Sequence, residues 1–194
     1  MKPPIKFKPL MVLASVIGVA YPFAVYFGLQ VFTPLAISMG LMVFLGFRIV
    51  LQWHDKKETI HLVSLGLTIC VVGILAFVDS MLAVKSYPIA LCLSLAAVFG
   101  YSLIHSPTII ERFARMMEPD LNESGVRYTR NVTIIWIIFF ILNACISLWT
   151  ALYTGLETWT FYNGFLSYIF MGCLFAVEFV VRQFVKKKHV GTHS

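Results

Sequence analysis

Six long apolar runs make up most of this chain, and all but one of its 15 Lys and Arg residues fall at alternate ends of them. A bilayer crossing takes about 20 apolar residues. Inside hydrocarbon the backbone must satisfy its own polar groups, so runs of this length are helices. The spans are read at about 9–32, 34–52, 60–78, 87–105, 132–153 and 161–184. Lys2, Lys6 and Lys8 precede the first span, and Arg48, Lys56 and Lys57 mark the gap between the second and third. Arg112, Arg115, Arg127 and Arg130 lie between the fourth and fifth, and Arg182 with Lys186-Lys187-Lys188 ends the sixth. Only Lys85 falls on the opposite side. Basic residues collect on the cytoplasmic side of a membrane. The expected fold is therefore all-α: a polytopic integral membrane helical bundle of six transmembrane helices with both termini cytoplasmic. The spans and their loops use up residues 1–194, so a single membrane domain is expected.

Composition agrees and narrows the function classes. The chain is 59% apolar and 12% charged, about half the charge of an ordinary soluble domain. The net charge of +6 sits at span ends rather than on a polar face with interleaved aromatics. It reads as topogenic charge with some attraction to anionic lipid, not as a nucleic-acid footprint. Cys70, Cys92, Cys145 and Cys173 all lie inside apolar runs without a C-x-x-C pair, so they read as buried thiols rather than disulfides or zinc ligands. The basic start and Gly18-Val19-Ala20 imitate a signal peptide, but the apolar run continues to Phe32 and is read as an uncleaved first span.

Local signals refine the map. Thr33-Pro34 reads as an N-cap followed by the first residue of the second helix. Tyr21-Pro22 lies mid-span, whereas Tyr87-Pro88 is placed at the start of the fourth span. The inner stretch 106–131 is the longest hydrophilic segment. Within it Ser106-Pro107 can cap an amphipathic helix over about 107–117. Ile109, Ile110, Phe113, Met116 and Met117 would share one face, with Glu111, Arg112 and Arg115 largely on the other. Such a helix suits the headgroup layer. Residues 120–125 are expected to form a turn or loop.

Ionisable and polar residues at membrane depth are the natural functional candidates. Glu178 and Arg182 are spaced to pair on one helix face. They could extend to Arg48, His105 and Asn143 as an intramembrane polar network, or simply reach the inner interface along their stems. Asp79 and Lys85 are expected to form an ion pair pinning the middle outer turn. Arg112, Arg115, Arg127 and Arg130 form a candidate site for a phosphate or carboxylate headgroup or a partner protein. Against this stands local neutralisation by Glu111, Glu118, Asp120 and Glu123. His54, Glu58 and His61 share a face at helical spacing, but the ligand count is too small for a metal site. No catalytic motif is present: there is no G-x-S-x-G, no phosphate-binding glycine loop and no H-E-x-x-H. No cofactor is expected. Ala14-Ser15-Val16-Ile17-Gly18 permits close helix packing, and with it a homo-oligomer.

Four stretches carry a resemblance: Tyr87-Pro88, Ser106 to Arg112, Arg127-Tyr128-Thr129-Arg130, and Trp136 with Phe139-Phe140 and Asn143. They resemble an uncharacterised bacterial inner-membrane protein family whose genes lie in clusters like those for aryl-polyene and fatty-acid-like lipids. The same stretch is distantly similar to the intracellular septation protein A family, through Lys85 to Pro88, Thr108 to Arg112 and Trp136 to Asn143. The resemblance implies a multi-pass protein of the bacterial inner (plasma) membrane with a cell-envelope role and supplies no catalytic residue. The expected function is an accessory or scaffold in envelope lipid or aryl-polyene-type biosynthesis, with membrane lipids and a cytoplasmic or membrane protein as partners. The alternative is a small transporter or flippase for a lipid-like product, and the third reading is a membrane-embedded enzyme acting on a lipid or acyl substrate.

Overall fold

Every described element is a helix, as hydrocarbon solvent requires. The computed structural model describes the backbone over residues 20–52 and 59–190, with side chains for all of these except 48, 51, 52, 59–65, 67, 71, 117 and 184–190. In chain order the elements are α1 (20–28), α2 (Pro34–Gln52), α3 (Thr59–Val78), α4 (Ser80–Ile104), α5 (Ile109–Met117) and α6 (Glu123–Tyr153). Then come α7 (Leu156–Phe161), a π-helical turn (Tyr162–Leu166) and α8 (Ser167–Val190). Three helical stretches are long and apolar enough to cross a membrane: Ser80–Ile104, Glu123–Tyr153 and the continuous Leu156–Gln183. Pro34–Phe47 and Thr68–Val78 are shorter apolar helices. Residues 9–19 of the first expected span, His54 and Glu58 lie outside the described residues.

The spine is the antiparallel pair α4 and α6. Lys85 meets Ala151, Cys92 meets Asn143, and Leu103 meets Arg130, so the two helices run in register for their whole shared length. One apolar cluster joins the first half of α4 to the rest of the bundle through Tyr21, Val25, Leu41, Leu45, Val72, Val84, Tyr87, Ala151 and Trp159. A second, around Ala96, Val132, Trp136 and Phe140, draws in Met171 and Leu174 of α8. Large apolar side chains such as Phe77, Ile138 and Phe179 remain exposed around the bundle. So much exposed apolar surface suits a protein solvated by lipid.

Three expected boundaries move, each for a local reason. The fourth span starts at Ser80 rather than Tyr87, because the Asp79 carboxylate accepts from the amides of Met81 and Leu82 and caps a new helix start. Pro88 therefore lies inside α4. A proline there leaves the carbonyl four residues back without its amide donor. That carbonyl is Val84 O, and the Tyr21 hydroxyl from α1 donates to it at 2.9 Å. The two Tyr-Pro pairs are thus joined in space, with the Tyr21 and Tyr87 rings 4.6 Å apart. The fifth helix starts at Glu123, not 132, because Asn122 accepts from Gly125 N and caps it. Gly125 leaves room for Leu121 to fold over the first turn, where a Cβ would lie 2.7 Å from Leu121 Cδ1. The cap of α5 is Thr108, which accepts from Glu111 N, rather than Ser106-Pro107. The second helix begins as its sequence suggests: Thr33 Oγ1 accepts from Ala36 N ahead of Pro34.

Candidate functional site

The buried polar residues gather along α6 and the π turn. Asn143 is buried; its Nδ2 donates to Cys92 Sγ at 3.2 Å and its Oδ1 accepts from the Tyr162 hydroxyl at 2.6 Å. One turn further on, Ser147 Oγ donates to Asn163 Oδ1 at 2.7 Å. Asn163 Nδ2 donates to Trp159 O at 2.9 Å and Thr150 Oγ1 at 3.4 Å, while Ser167 Oγ donates to Asn163 O. Tyr168 lies within electrostatic range of Tyr87 and Cys92 and extends the group toward α4. The π turn supports this arrangement. Its wider coil sets Tyr162 and Asn163 side by side against α6, and such turns recur at functional sites. Gly164 lets α1 approach the same turn: a Cβ there would stand 2.9 Å from the Phe23 ring.

Lys85 does not pair with Asp79, which corrects the expected outer-turn ion pair. Asp79 caps α4, and Lys85, only 7% exposed, donates to Ala151 O and Thr154 O, both at 3.3 Å. These carbonyls end α6, where no further amides follow and the helix dipole is negative. Folding the ammonium onto them satisfies two orphan acceptors, and with the Asp79 carboxylate still in electrostatic range a buried lysine is tolerated without a direct ion pair.

Among the described side chains, Glu178, Arg182, Asn143 and His105 of the expected network, which also included Arg48, are not brought together. Asn143 lies with Cys92 and Tyr162. Glu178 and Arg182 lie beside Tyr128, whose hydroxyl donates to Glu178 O at 3.4 Å, and no Glu178–Arg182 ion pair forms among the described residues. Arg182 Nη2 is buried with no hydrogen-bond partner among them. His105 is exposed at the end of α4, stacked on Tyr101 with ring centroids 3.9 Å apart. The Arg48 side chain lies outside the described residues.

The four arginines between α4 and α6 also disperse. Arg115 is held by Glu111, with both Nε and Nη2 at 2.9 Å from Oε1. Glu111 is buried against the bundle rather than on the polar face, and Ala114 is buried with it, while Phe113 and Met116 point outward. Ile110 packs against the second apolar cluster, so part of the apolar face of α5 is turned to the protein, while the outward Phe113 and Met116 suit a helix lying in the headgroup layer. Arg112 Nε donates to Pro107 O, and Arg130 Nη1 donates to Leu103 O at the end of α4. Arg127 makes no hydrogen bond or ion pair among the described residues and lines a recess of about 460 Å³ with Glu123, Ser124, Tyr128 and Asn131.

A second hollow runs between α6 and α8. It measures about 390 Å³, and Phe139, Leu142, Ile146, Phe170, Leu174 and Val177 form most of its wall, with Asn143 and Tyr162 at its floor. No group of three His, Cys, Asp or Glu side chains able to hold a metal ion occurs among the described residues. Sequence reasoning singled out Asn143 but missed Tyr162, Asn163 and Ser147; an Asn-Gly pair inside an apolar run was the available signal for the π turn. Set against protein families, curated proteins and solved structures, the chain matches none of them. What the geometry defines is an all-helical, membrane-associated protein whose mid-depth polar groups bond one another and whose unpaired guanidinium groups lie at one end of the α6–α8 pair.

Proposed function

We propose that this chain is a six-span protein of the bacterial inner membrane with both termini cytoplasmic. In this reading it serves as a non-enzymatic accessory or scaffold in envelope lipid or aryl-polyene-type biosynthesis. The observation that carries this reading is the closure of the polar network. Asn143, Cys92, Tyr162, Ser147, Asn163 and Thr150 spend their donors and acceptors on each other or on local carbonyls, which is how polar side chains join helices in lipid. A transport path or catalytic centre would need such groups to face a substrate. Arg127, Arg182 and the outward side chains of α5 are left for a ligand or partner at the end that the charge asymmetry assigns to the cytoplasm, while at the opposite end only Trp159 Nε1 and Thr160 Oγ1 are buried without a partner among the described residues. Kinship with the aryl-polyene-associated family belongs to the same proposal and rests on the motifs quoted above.

The alternative, a small transporter or flippase for a lipid-like product, draws on the unpaired Arg182 Nη2 beside an apolar hollow. Lipid and polyene profiling of a deletion strain by mass spectrometry tests both. A changed profile restored by Glu178→Gln but not by Arg127→Gln with Arg130→Gln supports the scaffold. The reverse pattern supports the transporter, and an unchanged profile overturns both.

A further inference from the structure

The hollow between α6 and α8 and the unpaired guanidinium groups at the inner end of the same two helices match the two halves of one ligand. We propose that this cleft binds one anionic glycerophospholipid of the inner leaflet, with an acyl chain in the hollow and the phosphate held by Arg127 and Arg182. The inference rests on the orientation given above, which places the start of α6 and the end of α8 at the cytoplasmic face.

Depth carries the argument first. At 1.5 Å per residue, Phe139 lies about 18 Å and Asn143 about 24 Å from Arg127 along α6. On α8, Phe170 lies about 18 Å from Arg182 by the same rise. Half of a bilayer with its headgroups is about 20–22 Å thick. An acyl chain whose phosphate sits at the arginines therefore ends in the hollow, on both walls independently. α6 itself, 31 residues long, spans about 46 Å, so its first turns, with Arg127, stand in the headgroup layer.

Chemistry carries it second. The wall of the hollow is hydrocarbon, from Phe139, Leu142 and Ile146 on one side and Phe170, Leu174 and Val177 on the other. Its two polar groups are already joined to each other, Tyr162 to Asn143, so a hydrocarbon chain suits it and a polar substrate does not. At the inner end, Arg182 Nη2 is buried and without an acceptor, which costs free energy until an anion reaches it. Tyr128 lies beside Arg182 and also lines the recess that holds Arg127, Ser124 and Asn131. The Tyr128 hydroxyl is spent on Glu178 O, so the two guanidinium groups carry the recognition; together they suit a phosphodiester, which arginine grips through paired N–H groups. Glu123 lines the same recess and disfavours a second negative charge there, so a singly charged phosphodiester fits better than a phosphomonoester.

The test is native mass spectrometry of the full chain in detergent, titrated with phosphatidylglycerol, phosphatidylethanolamine or inorganic phosphate. One phosphatidylglycerol per chain should be retained, at least tenfold more tightly than phosphatidylethanolamine, and inorganic phosphate should not be retained. Arg127→Gln with Arg182→Gln, or Cys173→Trp, which fills the hollow that Cys173 lines beside Leu174, should each weaken retention at least tenfold. Ile104→Trp, which places the same indole on the exposed face of α4, should leave it unchanged. A second measurement needs no variant: phosphatidylglycerol carrying a photoactivatable group at its chain end should crosslink within Phe139–Ile146 or Phe170–Val177. Equal retention of both lipids, retention indifferent to the arginine and groove variants, or crosslinks confined to other helices overturns the proposal. A lipid bound here in a strain whose lipid profile is unchanged on deletion would leave this site standing while the scaffold reading falls.

Discussion

Tyr21 bonds to a carbonyl that Pro88 has deprived of its helical donor, and this pairing makes a sharp prediction. In α4, Val84 O would ordinarily accept from the amide of residue 88, which in proline does not exist. The Tyr21 hydroxyl supplies the missing donor at 2.9 Å, from a ring that is itself buried. Tyr21→Phe keeps the ring and its contact with Tyr87 and removes only the donor. Leaving a buried acceptor unsatisfied costs about 1–3 kcal/mol, and side-chain hydrogen bonds between membrane helices average about 0.6 with a maximum near 1.7 kcal/mol. The two ranges overlap at about 1–1.7 kcal/mol, equivalent to an apparent melting temperature lowered by about 2–7 °C for a chain of this length. The decisive measurement is a double-mutant cycle by thermal unfolding in detergent. Pro88→Ala restores an amide to Val84 O, so in that background Tyr21→Phe should cost under about 0.5 kcal/mol, giving a coupling of about 0.5–1.7 kcal/mol. An equal cost of Tyr21→Phe in both backgrounds, or no cost in the native chain, refutes the idea that Tyr21 repairs the proline break.

Asn163→Leu removes the acceptor of Ser147 and the donor to Trp159 O and Thr150; unfolding in detergent should show a loss of about 1–3 kcal/mol, with Ser147→Ala nearly silent in the variant background. Lys85→Glu sets a carboxylate against the carbonyls of Ala151 and Thr154, and should cost about 3–5 kcal/mol or abolish membrane expression. Lys85→Met, which removes the buried charge with its bonds, should stay within about 1.5 kcal/mol of the native chain in the same unfolding assay. Asp79→Ala deletes two capping bonds at the start of α4, and about 1 kcal/mol of stability should go with them, restored in part by Asp79→Ser.

Much of the helical architecture is legible along the chain because it depends on local composition. The second helix starts at its Thr33 cap ahead of Pro34, the inner segment carries its amphipathic helix, and the apolar runs of α4, α6 and α8 are long enough to cross a membrane. Boundaries failed where a cap outweighed composition. Asp79 and Asn122 each open a helix several residues before the apolar run, since one carboxylate or amide that satisfies orphan N–H groups suffices to start a helix among residues of middling propensity. The arginines were legible as a cluster in sequence and proved dispersed in space, because three of them found separate local acceptors, Pro107 O for Arg112, Glu111 for Arg115 and Leu103 O for Arg130, and Arg127 bonds none of these.

The amino-acid sequence alone determined the solvent, and through it the class of fold. Long runs without charge cannot be buried in water-soluble domains of this size, and their backbones must close on themselves as helices. What each polar side chain does was decided only by tertiary structure. Lys85 faces Asp79 along the chain but bonds the end of α6; Tyr21 bonds a carbonyl 63 residues away; Ser147 and Asn163 meet across a turn. In a low-dielectric interior an unpaired polar group costs more than most local preferences supply. Partners there are chosen by which donors and acceptors the packed helices bring within reach, and that information is absent from the spacing of residues along any one of them.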